Sequence, residues 1–195
     1  MAIEQNGDRE RDWKDFSYLL QGTPRQKAAY PVLEAILPKL SAFDPVLTGT
    51  IPLDIDVTDS DLDIVCHTPD RELFKRVLTE NFGHFHDFTL TQFVVDELQT
   101  TIVRFKWDNF ALEIFGQSRP VTQQKAFRHM IVEAKLLEFG GEEIRQQIRQ
   151  LKQTGIKTEP AFAIAFNLTG DPYQTLLQLS DLSPEELHQA IFNKT

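Results

Sequence analysis

Between Asp44 and Gly116 the chain alternates short runs of β-branched and aromatic residues with turn signals. "DPVLTG", "DLDIVC", "FTLTQFVVD", "TTIVRFKW" and "FALEIFG" each read as a strand. "WDNF" at Trp107 reads as the tight turn of a hairpin joining the last two. A helical period interrupts this region once, over about 70–81, between the second and third strands. Beyond Pro120 the period is helical throughout. Helix starts are marked by a capping residue followed by proline, at Thr23, Thr68, Asp171 and Ser183, where the missing proline N–H costs nothing. Thr23 with Gln26, and Ser183 with Glu186, complete capping boxes. The pattern predicts an α/β (α+β) fold. A mixed sheet flanked by helices occupies 12–120, and a helical subdomain of four or five helices occupies 121–195. Residues up to about Arg11 read as a loose tail.

Composition narrows the setting. The 195 residues carry a formal charge of −9, which argues against a grip on long nucleic acid, since phosphate backbones are held mainly by Lys and Arg. The single cysteine, Cys66, lies in a strand and has no partner for an internal disulfide, as expected for a small core residue in a reducing compartment. The polar first residues do not resemble a secretory leader, and no apolar run approaches the ~20 residues that span a bilayer. The expectation is a cytoplasmic protein with no membrane partner.

"GTIPLDIDVTDSDLDIVC", Gly49 to Cys66, places five aspartates beside apolar residues. In a strand Asp61 and Asp63 point to one face, about 6.6 Å apart at a rise of about 3.3 Å per residue, while Leu62 and Ile64 point into the core. Glu113 in "FALEIFG" is flanked in the same way by Leu112 and Ile114. If the two strands are neighbours, three carboxylates converge. Such a cluster raises its own pKa values unless a cation neutralises it, and its hard oxygen donors suit Mg²⁺ or Mn²⁺. Phosphoryl or nucleotidyl transfer needs this arrangement, with shared aspartates holding metal ions and a third acid accepting the proton of an attacking hydroxyl. Gly49-Thr50 then offers close backbone approach and a hydroxyl to phosphate. Asp54, Asp56 and Asp59 read as loop residues. Ile51, Leu53, Ile55 and Val57 alternate with polar positions, as in an extended segment.

Other candidates weigh less. Asp59, Asp61 and Asp63 resemble the start of a calcium loop, but Ile64 stands where that loop needs glycine. His84 and His86 lack further ligands at metal spacing. In the helix after Pro120, Lys125, Arg128, His129 and Lys135 share one side, opposite Phe127, Met130, Ile131, Ala134 and Leu137. Residues 119–157 hold eight Lys/Arg against four Glu in an otherwise acidic chain. That face suits a nucleoside triphosphate if it looks toward the carboxylates.

Gly49-Thr50, then Ser60-Asp61-Leu62-Asp63-Ile64, then Leu112-Glu113-Ile114 resemble the signature of the polymerase-β-like nucleotidyltransferase superfamily in order and spacing. With the distal "KTEPAFA…GDPY", Lys157 to Tyr173, the closest likeness is to an uncharacterised bacterial group classed as a domain of unknown function. It covers about 20–180. The resemblance implies a two-metal fold in which Asp61, Asp63 and Glu113 serve catalysis and hold the metal. Gly49, Thr50 and Ser60 would meet the nucleotide with the basic side chains, and Lys157 would line the same cleft. The expected activity is transfer of a nucleoside monophosphate from a triphosphate to a hydroxyl acceptor. The alternative is an inactive relative on the same fold that binds nucleotide or protein.

Overall fold

The computed structural model describes residues 11–193, so the predicted N-terminal tail lies outside the described residues except for Arg11. Five strands form one sheet: β1 (Val46–Thr48), β2 (Leu62–His67), β3 (His86–Val95), β4 (Leu98–Trp107) and β5 (Phe110–Gln117). Their order is β1-β2-β5-β4-β3. β2 and β5 run parallel, and every other pairing is antiparallel. A parallel pair needs a long crossover. Here it comprises helix α2 (Arg71–Phe82) and the β3–β4 hairpin. The hairpin turn at "WDNF" forms as expected, with Trp107 paired to Phe110 and Asp108 at positive φ.

Helix α1 (Pro24–Ile36) precedes the sheet; α3 (Lys125–Gln153), α4 (Thr158–Ala165), α5 (Pro172–Leu179) and α6 (Pro184–Phe192) follow it. Both capping boxes are present, and Asp171 caps α5 through its side chain. Thr68 does not cap α2. Its N–H donates to the Gln117 carbonyl (2.7 Å), so the chain is still tied to β5 there, and Asp70 caps the helix instead. Within α3 the backbone breaks at Gly141 (φ 63°, ψ −161°), a conformation that costs a glycine little. Among the described residues no helix is long and apolar enough to cross a membrane.

Two large apolar clusters hold most of the interior, with a small third one of Val46, Val65 and Val121. The larger packs α1, α2 and one face of the sheet, with Leu33, Ile64, Phe74, Phe82 and Phe105 fully buried. The second packs α3 to α6 around Leu136, Phe162, Leu176 and Leu187. The segment after Gly49-Thr50 joins them. It is a turn rather than the extended stretch its alternation suggests: Asp54 N–H donates to the Ile51 carbonyl (3.1 Å), Ile55 N–H to the Thr50 carbonyl (3.1 Å), and Asp54 has φ 56°. Ile51 is buried in the first cluster, Leu53 and Ile55 in the second. Arg149 pairs with Asp54 (2.5 Å), and Arg145 donates to the Leu53 carbonyl, so α3 grips the turn from outside. Ile55→Ala should cost about 2–5 kcal/mol of stability in urea unfolding. A loss below about 1 kcal/mol would show that the turn is not anchored in the helical cluster.

Candidate active site

One transverse row of the sheet carries the chemistry. Thr48, Asp63, Glu113, Arg104 and Thr89 are successive register partners across β1, β2, β5, β4 and β3. The parallel pairing that puts Asp63 beside Glu113 brings together the two acids whose strands the sequence left apart. Like charges directly opposite each other are unfavourable, and Arg104 answers one of them with an ion pair to Glu113 at 2.5 Å. Asp61 stands just ahead of β2 and lines the same cavity as Asp63 and Glu113. Burial, then repulsion from Asp61 and Glu113, pushes Asp63 up to about 7, against the pull of Lys152 and Arg104.

The loop above this row is held tightly. Gly49 has φ +79°, and a Cβ there would sit 2.4 Å from Asp63 Oδ2, so only glycine lets the backbone lie against that carboxylate. Ser60 fastens the loop end. Its Oγ accepts from Val57 N–H (2.9 Å) and meets Thr50 Oγ1 at 3.3 Å, while its carbonyl accepts from Arg25 (2.7 Å). Gln26 Nε2 donates to the Ile51 carbonyl (2.7 Å), tying α1 to the turn. Asp54 and Asp56 are absent from the cavity wall; they pair with Arg149 and Arg25.

The cavity, about 850 Å³, has the sheet on one side and α3–α4 on the other. Gly49, Thr50, Ser60, Asp61, Asp63, Glu113, Lys125 and Lys157 all line it. Arg128 and Lys135 do not. Arg128 instead donates to Ser180 Oγ and the Leu177 carbonyl and pairs with Asp181 (2.7 Å), bracing the end of α5. Lys125 reaches the wall but pairs with Asp96 (2.9 Å).

The helical wall contains His129, which the sequence places on the basic side of the helix, and beside it Lys152 and Glu133, which the sequence reading did not single out. Lys152 Nζ donates to Thr158 Oγ1 (3.1 Å), and burial draws its pKa down while four surrounding acids, Asp63 among them, oppose that. His129 Nε2 lies 3.0 Å from the Tyr173 carbonyl, which can only accept, so Nε2 carries a proton; Nδ1 faces Glu159 at 3.2 Å. Glu133 is buried with no partner for Oε1, and burial, then Glu159, raises its pKa well above the usual carboxylate range. The spacing of Lys125, His129 and Glu133 by four residues was the available signal for this stripe. Arg104, a basic residue between the apolar Val103 and Phe105 of a strand run, was another. Lys152 carried no comparable mark.

The donor set fits a hard divalent cation. Neither the Asp61 nor the Asp63 side chain has a hydrogen bond or ion-pair partner among the described residues, and Asp63 is held at high energy when ionised. Among the same residues no three acidic, histidine or cysteine side chains are already gathered as a metal cage, and Glu113 is engaged by Arg104.

This sheet, with carboxylates on adjacent central strands and a glycine turn against them, is the polymerase-β-like nucleotidyltransferase fold. The chain belongs to the family described as domain of unknown function DUF4269, whose model matches residues 33–179. No curated protein sequence matches it. Among solved structures it is similar to the Cid1 poly(U) polymerase with Mg 3′-dATP bound, at 12% identity and TM-score 0.52, over 80% of this chain and 49% of that one. A cytoplasmic RNA terminal U-transferase gives 11% identity and TM-score 0.51, over 80% and 48%. Cid1 in complex with the UTP analogue UMPNPP gives 12% and 0.50, over 86% and 52%. The chain thus spans about half the length of the structures it matches.

In chelator, folded Asp63 keeps its proton to about pH 7, whereas an unfolded aspartate gives it up near 3.8. Between these values the folded state binds more protons, so stability falls as pH rises through them. Asp63→Asn removes that slope. The variant should melt like wild type near about pH 4 and roughly 3–8 °C higher near about pH 8. A variant less stable than wild type at the higher pH would make the ionised carboxylate a structural group.

Proposed function

We propose that this protein is a metal-dependent nucleotidyltransferase that passes a nucleoside monophosphate from a triphosphate to a hydroxyl acceptor. The observation that carries the reading is the register of Asp63 with Glu113, with Asp61 and the Gly49 turn on the same cavity. Asp61 and Asp63 would hold Mg²⁺ or Mn²⁺. When bound, the cation offsets charge on the phosphates and makes the acceptor hydroxyl a better nucleophile. The acceptor oxygen bonds to the α-phosphorus as the bond to the bridging oxygen breaks, and pyrophosphate leaves with that electron pair. The hydroxyl proton passes to a carboxylate, for which Glu113 is the candidate once it exchanges out of its pair with Arg104. Gly49 and Thr50 would approach the phosphates from the turn, and Ser60 holds that turn in place. Lys152 and Lys157 are the cations of the helical wall without an acidic partner at ion-pair distance among the described residues, and would share the phosphate charge. Solved relatives of this fold hold Mg 3′-dATP or a UTP analogue, which supports a nucleotide here. The two apolar clusters support reading 12–120 as the α/β part and 121–195 as the helical part. The single buried cysteine supports a cytoplasmic setting.

The Glu113–Arg104 pair favours one other reading, a nucleotide- or protein-binding module without turnover, because it occupies the third carboxylate. Thermal unfolding with MgCl₂ and each of ATP, GTP, CTP and UTP separates the two, alongside pyrophosphate release. Transfer predicts a melting shift of about 2–4 °C or more that needs metal and nucleotide together. The shift should vanish in Asp61→Asn/Asp63→Asn, with release down at least about 100-fold. A nucleotide-dependent shift without pyrophosphate release from any acceptor supports the binding module. No shift at millimolar nucleotide removes the nucleotide site altogether.

A further inference from the structure

We propose that the helical wall of the cavity, centred on Glu133, is a binding subsite for an amine-bearing hydroxyl compound, and that this compound is the acceptor. Its role as acceptor rests on the nucleotidyl-transfer reading; the subsite itself rests on independent geometry.

Glu133 lies on α3 two turns after Lys125 and one turn after His129, on the stripe that lines the cavity. It is only 3% exposed, and Oε1 is shielded from solvent with no hydrogen-bond partner among the described residues. A buried polar atom in that state is unfavourable, so a wall of this kind calls for a donor. Neighbouring side chains do not supply one. The charge of Lys152 acts on Glu133, but its Nζ donates to Thr158 and is not within hydrogen-bond distance of Oε1, and His129 is shared between Tyr173 and Glu159.

The charge balance of the cavity says which kind of donor. Glu113 is matched by Arg104, Asp96 by Lys125 and Arg119, and Glu159 by His129. Asp96 faces two cations, so one of them is left over; with every carboxyl ionised, the lining groups without an ion-pair partner among the described residues are Asp59, Asp61, Asp63 and Glu133, against Lys152, Lys157 and that surplus cation. Two divalent cations and a triphosphate roughly cancel one another, so a loaded site with Glu133 ionised keeps a small acidic excess, which is the charge that Glu133 itself brings. A cationic acceptor corrects that excess, while an RNA end would add to it, on a chain already at −9. Phe93 and Phe115 line the same cavity, and aromatic faces accept ammonium groups. Burial, then Glu159, raises the Glu133 carboxyl well above the usual range against the pull of Lys152, and an ammonium placed beside it favours the paired carboxylate. Binding therefore releases a proton.

Isothermal titration of the full chain with matched probes tests this: glucosamine against glucose, and diaminopropanol against glycerol, first without metal or nucleotide. The amine member of each pair should bind at least about tenfold more tightly than its hydroxyl counterpart. Titration in two buffers of different ionisation enthalpy should show about one proton released per amine bound. Glu133→Gln, isosteric and uncharged, should abolish the preference and the proton release while leaving the circular-dichroism spectrum unchanged. Should that variant fail to fold, the wild-type proton count decides. Absence of amine preference in wild type, absence of proton release, or preference surviving Glu133→Gln overturns the subsite. Amine binding in a protein that binds no metal–nucleotide would keep the subsite and remove the transfer reading. Transfer to the 3′ hydroxyl of a ribo-oligonucleotide without amine preference would do the reverse.

Discussion

Two carboxylates held at the same level on adjacent strands repel each other, and much of this structure is arranged around that repulsion. The parallel pairing of β2 with β5 fixes Asp63 beside Glu113; no side-chain motion takes them to different rows of the sheet. β4 contributes Arg104 from the other side of β5 and neutralises one acid. The other is left partly protonated near neutral pH. Leu62, Ile64, Leu112 and Ile114 lock both strands into the core from the opposite face, so the sheet cannot slip by one residue to relieve the strain without turning its apolar side outward. The burial energy of those flanks offsets the electrostatic cost of the site.

The same frame explains why the second half of the chain matters to the first. The sheet presents carboxylates and a glycine turn, and its one basic member in that row is consumed by Glu113. The lining cations outside any ion pair among the described residues come from elsewhere, namely Lys152 and Lys157 at the α3–α4 junction. Glu133 and the His129–Glu159 pair give that wall a polar character of its own, so the cavity has two chemically distinct sides rather than a charged floor under an inert roof.

The strands and most helices were legible because their signals are local. Alternation, flanking turn residues and caps lie within a few positions of each other. The row that makes the site was not, since nothing within either strand states that Asp63 and Glu113 share a register across fifty residues of intervening chain. Two local readings failed for physical reasons. Thr68 lost the cap of α2 because its N–H was already committed to β5, and Asp70 was free to take the role. The alternation from Ile51 to Val57 mimics a strand, yet here it arises because a turn sends successive apolar residues to two different clusters. Helical periodicity gave α3 a basic side, but not what packs against it. Arg128 was taken by the α5–α6 junction, while the buried Glu133, an unremarkable acid in the sequence, came to the cavity wall.

The turn at Ile51–Ile55 has a mechanical consequence. Ile51 is fixed in one cluster and Leu53 in the other, so the chain crosses between them within three residues of Thr50. A change in the angle between sheet and helices has no slack linker in which to dissipate at this crossing. It acts as torsion on the glycine turn that lies against Asp63, and the width of the cavity and the shape of the loop beside its carboxylates become one mechanical variable.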